Sequence, residues 1–177
     1  MRGPLLSGPL GSQPSLEALL RWTHGHAPVV VLGPPWLGAA LARGGAAMVL
    51  IETEGRPQAI RVRRRARKEN QPLDVALAAA ELPFRRGSLS ALVIENAAGL
   101  EPVEAQRWVA GLVPSLRPGG RLIAADASSS DAAAARVAGA FVSAALQEVV
   151  QEWPREGAVL TVGVAPPASV VAARHAG

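Results

Sequence analysis

Apolar residues run along this chain in short unbroken clusters, and the longer stretches between them space their apolar positions three or four residues apart. VVVL (29–32) follows Pro28 and stops at Gly33. A continuous β-branched run of that length fits a strand buried on both faces. PWLGAALARGG then reads as a helix beginning at Pro35 and left at Gly44 and Gly45, because proline suits a first helical position and glycine a last one. AAMVLIE (46–52) is a second apolar run, stopping at Glu52. Strand, glycine-bearing turn, helix and strand within about 25 residues make a βαβ unit, whose two strands are parallel neighbours. The fold class that follows is α/β.

The pattern continues in the same way. Residues 56–69 read as a basic helix, 74–78 and 89–96 as a third and a fourth strand, and 101–116 as a helix with Val103, Trp108, Val109 and Leu112 at roughly helical spacing. RPGG then turns the chain into a fifth strand, 121–126, and SSSD offers caps for an alanine-rich helix over 131–146. The ending differs: QEVVQEWP and AVLTVGVA are strands with only REG between them, a hairpin rather than a crossover. Ahead of the first strand, Ser15 is placed to cap a short helix, SLEALLRW, with Leu16, Leu19 and Leu20 on one stripe. Residues 1–14 read as a loose leader, 15–165 as one domain and 166–177 as a short tail.

Composition narrows the chemistry. The 177 residues are 49% hydrophobic and 18% charged, far from the regime in which chains stay disordered. No run of eighteen uncharged apolar residues exists, and Gly and Pro break the first 14 residues too often for a signal-peptide core, so a cytoplasmic location without membrane contact is expected. Cysteine is absent and the three histidines are too few for a convincing metal centre, which leaves oxygen groups, backbone amides or a bound cofactor for catalysis. The net charge of +4 is uneven: residues 56–86 carry nine basic and three acidic side chains, +6, leaving −2 elsewhere. Arg61, Arg63, Arg64, Arg65, Arg67 and Lys68 crowd into eight residues and suit a polyanion or an acidic protein surface. No aromatic side chain interrupts that run to stack bases, and a solvated outer helix is the plain alternative.

Three features taken together resemble a known family: the βαβ unit ending in Glu52, the segment AELPFRRGSLSALVIENA (80–97), and VPSLRPGGRLIAAD (113–126). The chain resembles the class I S-adenosylmethionine-dependent methyltransferases, in particular the small-molecule branch that reads LPF, a short turn, GSFD and an apolar strand, and later LRPGGRL. The similarity spans about residues 15–165. It implies a Rossmann-like three-layer fold with a mostly parallel seven-stranded sheet, closed by the antiparallel C-terminal hairpin. It further implies S-adenosylmethionine held by the turn at Gly33, Trp36 and Gly38, by Glu52 at the ribose, and by Ala79, Glu81 and Leu82 around the adenine. Glu95 and Asn96 are the implied candidates to contact or orient a methyl acceptor.

Several positions depart from the family pattern. Where members carry a Gly-x-Gly-x-Gly turn this chain reads VLGPPWLG, and Pro34 and Pro35 have no amide hydrogen to donate. Trp36 brings a bulky indole to the same turn, either stacking on a cofactor or filling its place. The acid that often meets the adenine amine is Ala78 here, and the acid of GSFD is Ser90. A rival reading is therefore a catalytically inactive pseudo-methyltransferase whose basic helix docks a protein or a polyanion. Lesser candidates are His24 and His26 as a metal pair near the expected cofactor edge, against plain loop histidines, and Asp126 as a substrate contact, against an ordinary strand-end acid. The four tryptophans read as packing anchors. Dinucleotide binding needs Gly-x-Gly-x-x-Gly, which VLGPPWLG does not supply.

Overall fold

The computed structural model describes residues 13–53, 56–77, 84–127 and 130–167. Residues 1–12 and those from 168 lie outside that range, and Gln13 and Pro14, expected in the leader, belong to α1. In chain order the elements are α1 (Gln13–Thr23), β1 (Val29–Leu32), α2 (Pro35–Arg43), β2 (Val49–Thr53), α3 (Arg56–Lys68), β3 (Leu73–Leu77), β4 (Leu89–Glu95), α4 (Pro102–Leu112), β5 (Leu116–Asp126), α5 (Asp131–Ser143), β6 (Gln147–Arg155) and β7 (Ala158–Val164). All seven strands join one sheet in the order β3-β2-β1-β4-β5-β7-β6. β1 pairs in parallel with β2 and β4, β2 with β3 and β4 with β5, whereas β7 runs antiparallel to both β5 and β6. This is the mostly parallel sheet with a terminal hairpin that the sequence predicts.

The unbroken apolar strands are explained by cover on both faces. Val29 and Val31 join one core cluster with Leu19 of α1 and Leu37 and Leu41 of α2. Val30 and Leu32 join a second, with Val109 and Leu112 of α4 and Val137 and Phe141 of α5. Successive strand residues point to opposite sides of a sheet, so an amphipathic helical layer on each side buries every position of β1 and asks for apolar residues throughout. No helix among the described residues is long and apolar enough to cross a membrane.

Element ends differ from the pattern reading for local reasons. Ser15 lies inside α1, buried, and so is not its cap. The helix expected over 101–116 stops at Leu112 and tightens into a 3-10 turn, Val113–Ser115, because Pro114 cannot donate to the helical ladder. The fifth strand begins at Leu116, before the RPGG segment. RPGG is an irregularity inside that strand: pairing jumps from Leu89↔Leu116 to Ala91↔Arg121, with Gly119 at φ +74 and Gly120 so close to Leu89 O that a β-carbon there would sit 2.9 Å from it. Only glycine fits both demands. The second strand starts at Val49, since Gly45 and Ala46 close α2, Ala46 N–H donating to Leu41 O at 3.0 Å. α5 ends at Ser143, where Ala145 takes φ +64 and Leu146 N–H donates to Phe141 O.

Candidate functional site

The order of strands reverses at β1, with β2 and β3 on one side and β4 and β5 on the other. In open α/β sheets ligands bind outside the carboxyl ends of the strands at such a reversal. The residues that follow or end the strands there are Gly33 after β1, Glu95 at the end of β4 and Asp126 at the end of β5. A β-carbon on Gly33 would lie 3.3 Å from Glu95 Cβ and 3.9 Å from Glu95 Oε2. Glycine at 33 is thus what leaves the Glu95 carboxylate room beside the turn.

Asp126 stands next to this pair and is only 1% exposed. Its Oδ1 accepts the Ala98 N–H at 2.8 Å, tying the 3-10 turn Ala97–Gly99 to the end of β5. Its Oδ2 is buried with no hydrogen-bond partner among the described residues. Burial raises the Asp126 carboxyl above the usual aspartate range, working against the lowering effect of the Ala98 and Ala97 amides. Glu95 is raised as well, first by its own burial and then by the charge of Asp126. Two carboxyls placed in this way favour a cationic guest.

The predicted pair on β4 divides. Glu95 faces Gly33, while Asn96 takes a left-handed φ of 62 and its side chain lies over Gly99, where a β-carbon would come within 2.5 Å of Asn96 Oδ1. Asn96 N–H donates to Ala125 O at 3.3 Å. Asn96 thus shapes the turn after β4, and Glu95 is the member of the pair set beside the β1 turn.

The glycine-rich turn also divides. Gly33 stands at the strand reversal, but Gly38 belongs to helix–sheet packing: a β-carbon on it would meet Ile51 Cγ1 at 2.5 Å and Cδ1 at 2.6 Å. Pro34 and Pro35 open α2 without amide hydrogens, and the Leu37 N–H is taken by Pro34 O at 3.0 Å. Trp36 is the second residue of α2. Its indole is half-buried against the core cluster beneath α2 and lines a groove between α2 and α3. Glu52 is the penultimate residue of β2, paired with Ala76 of β3. Ala79, Glu81 and Leu82 lie outside the described residues, as does Ala78.

The histidine reading fails on position. His24 and His26 precede β1, at the amino edge of the sheet, where the Arg121 charge acts on His26. Burial, followed by that charge, lowers the His26 imidazole below its ordinary value. Among the described residues no group of three metal-ligating side chains occurs. Trp22 donates its Nε1–H to Glu152 Oε2 at 2.7 Å beneath the Arg121 guanidinium, and Trp108 packs on the second core cluster, as packing anchors should. Trp153 is different, 41% exposed on the edge strand β6. The arginine run is also not uniform. Arg63 binds Asp74 Oδ1 at 2.7 Å and Val75 O at 2.9 Å, and Arg65 binds Glu69 Oε1 at 2.8 Å. The Asp126 tether to Ala98 and the juxtaposition of Gly33 with Glu95 were invisible to pattern reading, since both join residues distant in sequence.

No protein-family model matches the chain. No curated protein sequence matches it either. Solved structures do. PigF, solved with SAH, superposes with a TM-score of 0.65 at 15% identity over 91% of this chain and 54% of its own, so the chain spans little more than half of PigF. The [4+2]-cyclase SpnF gives 0.67 at 13% identity, covering 87% of this chain and 81% of its own. The protein solved in complex with the Haloferax volcanii Trm112 methyltransferase activator gives 0.66 at 17%, covering 86% and 89%. The chain has the class I S-adenosylmethionine-dependent methyltransferase fold.

Proposed function

We propose that this chain binds S-adenosylmethionine at the β1–β4 strand reversal and transfers its methyl group to a small molecule. The reading rests on one observation: Gly33 opens the turn after β1 beside a half-buried Glu95 whose carboxyl is backed by Asp126. A glycine at this turn lets a ligand approach the backbone closely, and paired carboxyls suit a cation such as a sulfonium. When bound, the cofactor supplies a methyl group already activated on positive sulfur, so the protein's share is positioning and exclusion of competing reactions. In this reading Gly33 admits the ligand, Glu52 accepts from ribose hydroxyls, and Glu95 orients the acceptor. Since SpnF is a cyclase on the same fold, the fold alone does not assign methyl transfer.

A second reading is favoured by the turn itself. Pro34 and Pro35 remove donors at the start of α2, which weakens any grip on the polar end of the cofactor and suits a pseudo-enzyme working as an interaction module. Calorimetric titration with S-adenosylhomocysteine separates the two. Micromolar binding that is lost in Glu52→Ala supports the enzyme. No heat at millimolar ligand overturns it in favour of the module.

A further inference from the structure

A groove of about 560 Å³ runs between α2 and α3, bounded by Pro35 and Trp36 at the start of α2 and by Gln71 and Leu73 beside the start of β3. Its floor is apolar, with Trp36, Val62 and Leu73, and its rim holds Arg43 from α2 and Arg61 and Arg65 from α3. Ala39 and Ala66 also line it, and their short side chains help keep it open. The nine residues of α2 give it a length of about 13 Å, some two and a half helical turns.

Charge decides what fits. Glu69 lies 2.8 Å from Arg65 and 3.8 Å from Arg43, so one carboxylate serves both of those guanidiniums. No ion pair forms at Arg61 among the described residues. Three rim cations against one carboxylate leave the groove at about +2, a field that asks for acidic groups from an occupant. Residues 1–12 contain Arg2 and no acidic side chain, and residues 168–177 contain Arg174 and none, so neither segment supplies acidic side chains. A second copy has an apolar residue between acids at the start of α4, with Glu101 just before the helix and Val103 and Glu104 in its first turn, but α4 packs on the opposite sheet face. Such a head-to-tail contact would build a ring or an open filament of many copies rather than a two-fold dimer. Nucleic acid fits poorly, because Trp36 is sunk against the core rather than standing free as a stacking surface.

We infer that the α2–α3 groove docks an acidic amphipathic segment of another protein, with apolar side chains on Trp36, Val62 and Leu73 and a carboxylate on Arg61. Helix-in-groove recognition uses this combination of apolar floor and charged rim. The inference stands apart from methyl transfer and holds whether or not the cofactor binds.

The test is fluorescence anisotropy on the full chain. The probe is a labelled amphipathic peptide with leucine on one helical face and glutamate on the other, compared with its lysine counterpart and with a labelled single-stranded RNA. The glutamate peptide is expected to bind, more weakly at high salt, with about a tenfold loss in Arg61→Glu and a comparable loss in Trp36→Ala. Arg64→Glu, exposed on the same helix but outside the groove lining, keeps wild-type affinity. Arg61 is exposed, so its reversal leaves the fold intact and the result readable even if Trp36→Ala unfolds. Equal losses from Arg61→Glu and Arg64→Glu, RNA binding tighter than the peptide, concentration-dependent self-association that displaces the peptide, or no peptide binding would each overturn the assignment.

Discussion

Replacing Asp126 tests the electrostatics of the candidate site most directly. Its carboxyl is raised in the folded chain by burial, so the folded state keeps the proton over a pH range in which the unfolded chain has released it. The stability this group contributes is therefore greatest below the ordinary aspartate range and falls as pH climbs through the raised folded value. Asp126→Asn removes the titration while its side-chain oxygen still accepts the Ala98 N–H, now made at 2.8 Å. Asp126→Ala removes both. Leaving that amide without a partner costs about 1.5 kcal/mol, which for a domain of this size is about 3–6 °C in melting temperature. Thermal denaturation followed by circular dichroism, from acidic to neutral pH, is the assay. The advantage of Asp126→Asn over the parent chain should widen as pH rises, and at neutral pH Asp126→Ala should melt about 3–6 °C below Asp126→Asn. A gain for Asp126→Asn that stays constant with pH, or an alanine variant as stable as the asparagine one, refutes the account.

Two further outcomes follow from geometry elsewhere. Gly38→Val forces side-chain atoms into Ile51, and the overpacking should cost about 2 kcal/mol in urea denaturation, a cost absent in the same substitution at exposed Gly111, where a β-carbon meets nothing within 4 Å. Asp74 is held below the usual aspartate range by the Val75 amide first and by Arg63 second, so Arg63→Ala should move its NMR titration upward without returning it fully to the ordinary value.

The resemblance at LRPGGRL shows how sequence can identify a fold without locating a site. Gly119 and Gly120 are demanded by a left-handed turn and by close approach to Leu89 O, where β5 first pairs with β4, at the end of the sheet opposite Glu95 and Asp126. The motif therefore marks how the strand is built and carries no chemistry. The candidate cofactor turn was legible only in part. Gly33 and Gly38 are the same residue type five positions apart, yet one opens the strand reversal and the other packs a helix on Ile51. Pattern cannot separate them because the atoms that distinguish them, in Glu95 and Ile51, come from other strands.

Read alone, the chain determined the alternation of strand and helix, the parallel βαβ start, the closing hairpin and the concentration of positive charge on α3. Those are local or nearest-neighbour properties: apolar periodicity, breaker residues and the length of a connection dictate them before any long-range contact forms. Tertiary structure alone decided that Trp36 lines a groove between α2 and α3, that Asn96 folds over its own turn, and that Asp126 is buried beside Glu95. Each of these depends on which distant strand lies alongside and how deeply a carboxyl is covered, and packing settles those quantities only once the whole sheet has assembled.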